Sequence, residues 1–165
     1  MRVSRRHLMA SGLAAAFCGR PVAAEEALGP VLASDVFEVP YKFRRQDVEF
    51  ETAEQPGTII VDTRKRWLYH VQGEGRATRY GVGIGTKGKG WSGEAVVRRK
   101  VKWPAWRPTP EHLASYPSLA KYEGQAMPGG AGNPLGARAL YLFQGEVDTL
   151  YRIHGTIKPS GIGRK

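Results

Sequence analysis

A chain of 165 residues has room for one domain with a real core, and 41% hydrophobic with 24% charged residues is the balance of a soluble globular protein. The 21 glycines and 11 prolines argue against long helices and for abundant turns. The formal charge is +10, but four of the 25 basic residues (Arg2, Arg5, Arg6 and Arg20) lie in the first 24 positions, which hold no acid. The remainder is still basic, which suits an anionic polymer such as cell wall, whereas a basic helix and zinc-finger spacing, the usual marks of nucleic-acid binding, are missing.

Residues 1–24 read as an export signal: basic residues, an apolar run from Leu8 to Phe17, then Val22-Ala23-Ala24 as a small-residue cleavage site before Glu25. Ser4-Arg5-Arg6-His7-Leu8-Met9 resembles a twin-arginine signal, a route for folded proteins to the periplasm. The apolar run is shorter than the about 20 residues a bilayer span needs, so no stable membrane anchor is expected. Cys18, the one cysteine, falls in this leader, and bulky Phe17 before it disfavours lipid attachment. A chain cleaved near Ala24 has neither a disulfide nor a thiol in residues 25–165.

Residues 25–55 read as a charged N-terminal arm broken by Pro30 and Pro40, with one strand at 36–39. The domain proper is placed at 56–165. Thr58-Ile-Ile-Val-Asp62 and residues 66–71 are strand-length apolar runs, with Arg64-Lys65 as the hairpin turn between them. Residues 77–84 form a third strand loosened by glycines, and residues 95–103 a fourth, rich in valine and arginine. Leu140-Tyr-Leu-Phe143 and residues 149–153 pair across Gln144-Gly145-Glu146. Six strands at hairpin spacing predict a mainly β sandwich or barrel. Between Pro104 and Arg138 lies a long segment rich in proline and aromatics, read as a wall or lid over a site. One short helix is expected within 111–120, with Thr109-Pro110 as its N-cap and first turn.

Two glycine motifs are weaker than they look. Gly83-Ile-Gly85-Thr-Lys-Gly88 matches the dinucleotide fingerprint and runs into Lys89 as a near P-loop, but Gly90-Trp91-Ser92-Gly93 is a poor helix start, and both motifs need a helix N-terminus for phosphate. No metal site is expected, because His70, His112 and His154 lack ligand spacing and a companion cysteine. No cofactor is implied. Ser92 and Ser160 sit in glycine turns without a nucleophile-elbow pattern. His154, at a strand exit beside Gly155, has the setting of a general base, although a histidine capping a strand explains it equally when taken alone.

Several separated pieces then coincide. Ile60-Val-Asp-Thr63 with Leu68-Tyr69, Tyr80-Gly-Val-Gly-Ile-Gly85, Trp103-Pro-Ala-Trp-Arg-Pro-Thr-Pro110, Met127-Pro-Gly-Gly130, Asn133-Pro-Leu-Gly136 with Ala139-Leu-Tyr141, and Ile153-His-Gly-Thr156 occur in one order from Pro56 onward. The ordered set resembles the L,D-transpeptidases of the YkuD type. The resemblance implies a β-sandwich of mixed strands and an enzyme acting on peptidoglycan stem peptides. There a cysteine thiolate displaces the terminal D-alanine of a tetrapeptide, and the resulting thioester passes to an amine. It makes His154 the base and Gly155 the residue whose carbonyl holds the imidazole tautomer, with Trp103, Met127, Pro128 and Gly129 as walls for the stem peptide. The family's Ser-x-Gly-Cys motif lies about fifteen to eighteen residues after its histidine, and eleven residues follow His154 here. The chain is therefore expected to be a fragment ending before its nucleophile, inactive as it stands. The alternative is a non-catalytic module or relic that grips cell wall through Trp91, Trp103, Trp106, Tyr116 and Tyr122.

Overall fold

The computed structural model describes residues 39–85 and 91–164; the export signal and most of the strand expected at 36–39 lie outside them. Seven strands form two sheets. The first contains β1 (Gln46–Glu49), β2 (Ile59–Asp62), β3 (Trp67–Gly73) and β4 (Arg76–Gly81) in the order β1-β4-β3-β2; the second contains β5 (Val96–Lys102), β6 (Arg138–Gln144) and β7 (Val147–His154) in the order β5-β6-β7. All six predicted strands are present. The seventh, β1, lies in the stretch read as an arm, and it pairs with β4 from Gln46↔Arg79 to Glu49↔Arg76. Its charged composition hid it, because on an edge strand polar residues face water at little cost.

The mixed pairing expected of the sandwich is not found: every pairing among the described strands is antiparallel. Short connections account for three of the five pairings, β2–β3, β3–β4 and β6–β7, since a loop of a few residues can only reverse the chain, whereas β1–β4 and β5–β6 are joined through longer stretches. Glu74 and Gly75 join β3 to β4 with φ of 53° and 67°, the doubly positive turn whose twist matches a hairpin. The β2–β3 turn is closed by Asp62, whose backbone carbonyl accepts the Arg66 N–H at 2.8 Å and whose Oδ1 accepts the Lys65 N–H at 2.9 Å.

The buried apolar side chains are few: Val39, Leu68, Val71, Ala77 and Ala139. Phe43, on a 3-10 turn (Tyr41–Phe43), packs on Trp67 with ring centres 4.8 Å apart and lies tight against the backbones of Gly81 and Gly163. Gly163 also donates its N–H to Val82 O and accepts from Arg66 Nη1 at 3.0 Å. The chain beyond the second sheet is thereby fastened to the end of the first.

β7 carries an irregularity before its last four residues, where Tyr141↔Arg152 gives way to Phe143↔Asp148. Asp148 fixes it. Its Oδ1 accepts the N–H of Leu150, which has a φ of 62°, and its two oxygens take Arg152 Nη1 and Nη2 at 2.7 and 2.8 Å. The Arg152 guanidinium then lies 4.0 Å over the Tyr141 ring, with Arg99 5.0 Å from the same ring. The bulge sets the register that delivers His154 opposite Ala139.

Hydrogen bonds from Arg152 and from the Leu150 backbone hold the Asp148 carboxyl below the usual carboxylate range. A depressed native pKa means stability that is present above the unfolded value and lost as pH falls through the native one. Asp148→Asn should therefore lower the melting temperature at pH 6. The gap to the parent should narrow as pH falls below the usual carboxylate range and through the lowered native pKa, where the protonated aspartate is uncharged like asparagine; thermal melts across that range read it directly.

Candidate active site

His154 is the last residue of β7 and is exposed. Its Nδ1 is 2.6 Å from the carbonyl oxygen of Gly155. A carbonyl only accepts, so the proton of the neutral ring sits on Nδ1, and Nε2 keeps its lone pair for another partner. The Gly155 N–H donates to Arg138 O at 2.9 Å, which extends the β6–β7 ladder one residue past the imidazole. Behind this turn sits Gly136, with a φ of 64°; a methyl added there would lie 2.8 Å from the Thr156 nitrogen and 2.9 Å from the Gly155 carbonyl carbon. Two glycine backbones in contact thus fix the direction in which the chain leaves His154.

The proline and aromatic segment folds over this turn. Thr109-Pro110 begins α1 (Pro110–Ser115) as expected, but the helix stops there, and a 3-10 turn (Pro117–Tyr122) replaces its predicted end because Pro117 cannot continue it. Trp106 and Met127 exchange backbone hydrogen bonds of 2.9 and 2.7 Å, a single rung that closes the loop on itself. Between the loop and the residues after His154 lies a groove of about 340 Å³, lined on one side by Trp106, His112 and Met127 and on the other by Thr156, Ile157 and Lys158. The ring of His112 meets Trp106 edge-on, with centres 5.2 Å apart. Its Nδ1 is 2.8 Å from Thr109 Oγ1, whose hydroxyl donates to Glu111 at 2.6 Å.

Of the four residues proposed as substrate walls, Met127 lines the groove, while Trp103, Pro128 and Gly129 do not. Pro128 instead holds Asn133, the chain's one asparagine, which is fully buried. Asn133 Nδ2 donates to the carbonyls of Pro104 and Pro128 at 3.0 Å and lies 3.3 Å from that of Met127, while Oδ1 accepts the Leu135 N–H at 2.9 Å. Trp103 has a φ of 45° and donates its N–H to Ala137 O, and Gly129 rests on the Trp103 carbonyl too closely for any side chain. These positions hold the loop and leave its inner surface to others. Thr156, His112 and Lys158 were not singled out by sequence as groove residues. The signal that was available for Asn133 is its uniqueness followed by Pro134.

Among the described residues no group of three or more His, Cys, Asp or Glu could hold a metal, and no helix is long and apolar enough to cross a membrane. Of the glycine motif, Gly83 and Gly85 follow β4, and Gly88 and Lys89 lie outside the described residues. The next described stretch, residues 91–95, is non-helical and leads into β5.

Asn133→Ala should lower stability by about 3 kcal/mol, because it leaves buried carbonyls unpaired; the melting temperature should fall by roughly 10 °C or more. Gly136→Ala tests the turn. Its methyl must displace Gly155 and Thr156, so the His154 ring resonances should move in NMR spectra even where the fold survives.

Comparison with known proteins identifies the family. Residues 56–165 match the YkuD family, described as the L,D-transpeptidase catalytic domain. The "Probable L,D-transpeptidase YbiS" of Escherichia coli K12 is 33% identical over 111 residues, covering 65% of this chain and 34% of that protein. The "Probable L,D-transpeptidase ErfK/SrfK" of the same organism is 32% identical over 110 residues, covering 64% and 33%. The chain thus spans about a third of the length of these curated relatives. A crystal structure from Brucella melitensis, titled a "Probable carnitine operon oxidoreductase caia", superposes with a TM-score of 0.63 at 46% identity, covering 74% of this chain and 76% of that one. With two thirds of its length matched, the chain belongs to the YkuD family of L,D-transpeptidase catalytic domains.

Proposed function

We propose that this domain binds peptidoglycan stem peptides in the groove whose wall begins at Thr156, two residues after His154, and serves acyl transfer from a tetrapeptide donor, outside the cytoplasm, with export by the twin-arginine route. The observation that carries the reading is the imidazole itself: exposed, its Nδ1 tied to Gly155 O at 2.6 Å, its Nε2 available. A ring held in that tautomer takes a proton without having to reorient, which a general base requires. A backbone carbonyl suffices as the orienting acceptor and adds no charge that would compete for the proton.

In the family's chemistry a thiol gives its proton to the histidine and the thiolate attacks the carbonyl before the terminal D-alanine. The carbon–nitrogen bond breaks, and D-alanine leaves as the amine carrying that proton. The thioester then transfers to an amine acceptor. His154 fits the proton-transfer role in both halves, and Gly155 the orienting role. Trp106, Met127 and Ile157 offer the apolar surface a peptide backbone needs for desolvation. The thiol must come from outside residues 25–165, which contain none.

The test uses the protein expressed from its complete natural reading frame, incubated with a synthetic stem tetrapeptide and read by intact-protein mass spectrometry. The expected result is an adduct equal to the peptide less D-alanine. His154→Ala should reduce its rate of formation by about 10²- to 10⁴-fold, with the melting temperature little changed because the side chain is exposed. Peptide binding without any adduct would favour a wall-binding module, and an adduct unaffected by His154→Ala would remove this residue from the chemistry.

A further inference from the structure

The groove has a chemical bias that the histidine does not explain. Its hydrogen-bonding side chains are the hydroxyls of Tyr116, Ser118 and Thr156, the Trp106 indole N–H, the His112 imidazole and the Lys158 ammonium, and its lining includes no aspartate or glutamate. Lys158 is exposed, and among the described residues its ammonium makes no ion pair or hydrogen bond. One end is built more specifically than the rest. Thr156 Oγ1 accepts the Lys158 backbone N–H at 3.0 Å, a turn that folds the two residues together on one wall. With its oxygen occupied as an acceptor, the Thr156 hydroxyl hydrogen is free to be donated. A hydroxyl donor at Thr156 and a lysine two residues on, lining the same groove as Trp106 and Met127, match a carboxylate carried on a peptide.

Resting on the reading of the groove as a stem-peptide site, we propose that Lys158, helped by the Thr156 hydroxyl, is a specificity-determining residue that recognises one free carboxylate of the bound peptide. A charge-assisted hydrogen bond discriminates an ionised carboxylate from its amide, since the amide is neutral and presents N–H groups where an acceptor is needed. The groove would then distinguish stems by the amidation of one acidic residue. Amidated and free stems differ by this group alone, so the selection acts on binding before any bond is broken.

The experiment is a calorimetric titration of the complete protein with the stem tetrapeptide and with derivatives in which each carboxylate is amidated in turn. One derivative should bind roughly 10-fold more weakly than the parent, the ratio expected when a charge-assisted hydrogen bond is lost. Lys158→Gln should bind the unmodified peptide at that weaker level and no longer separate the two, and Lys158→Arg should restore the preference. Equal binding of all derivatives, or an undiminished preference in Lys158→Gln, overturns the inference while leaving the groove a peptide site. Failure of every peptide to bind overturns the functional reading of the groove and this inference with it.

Discussion

The arrangement of this domain depends on one buried amide. Asn133 has no access to water, so each of its polar atoms must find a partner within the protein. It finds them in three successive pieces of one loop: Pro104 where the loop leaves the β5 edge, Met127 and Pro128 where it turns back, and Leu135 where it re-enters β6. A segment of that length cannot cover its own backbone with regular structure, and prolines at 104, 108, 110, 117, 128 and 134 remove the donors that a sheet or helix would need. One side chain with two donors and an acceptor supplies the missing pairing. The Trp106–Met127 rung and the placement of Met127 in the groove follow from it.

The histidine is positioned from the opposite direction, by strand geometry. The bulge held by Asp148 shifts β7 by the amount that puts Ala139 across from His154, and Ala139 is 1% exposed. Register in a sheet is all-or-none for side-chain direction, because a slip of one residue turns every side chain to the other face. The ion pair between Asp148 and Arg152 thus matters less as a source of attraction than as a choice between two faces. Tyr141 reinforces that choice by offering its ring to Arg152 and Arg99 from the adjacent strand.

Much of this was legible from the residues. Six strands were announced by apolar runs of strand length separated by charged or glycine turns, and the N-cap Thr109-Pro110 was visible as a helix start. His154 and Gly155 stood out through the ordered set of short matches. What could not be read is instructive. β1 is polar on a sheet edge, so hydrophobic periodicity is silent there. Trp103, Pro128 and Gly129 lie in matched stretches, and no local pattern encodes that the Pro128 carbonyl meets Asn133 or that Gly129 rests on the Trp103 carbonyl. Lys158 owes its place to a turn formed by its neighbour's hydroxyl, and a lysine in a proline and glycine stretch gives no sign of it. The antiparallel pairing was implied by the hairpin loops themselves, and the expectation of mixed strands came from the resemblance instead.

The chain leaving His154 is fastened at both ends. It starts on the second sheet, where Gly155 bonds to Arg138, and it finishes on the first, where Gly163 bonds to Val82 and Arg66 beneath Phe43. The nine residues from Gly155 to Gly163 therefore link the two sheets, and three of them form a wall of the groove. Any sliding of one sheet against the other must be taken up within this short strap. A molecule seated in the groove would resist the sliding, so occupancy at one end of the protein would be felt as stiffness in hydrogen exchange across both sheets.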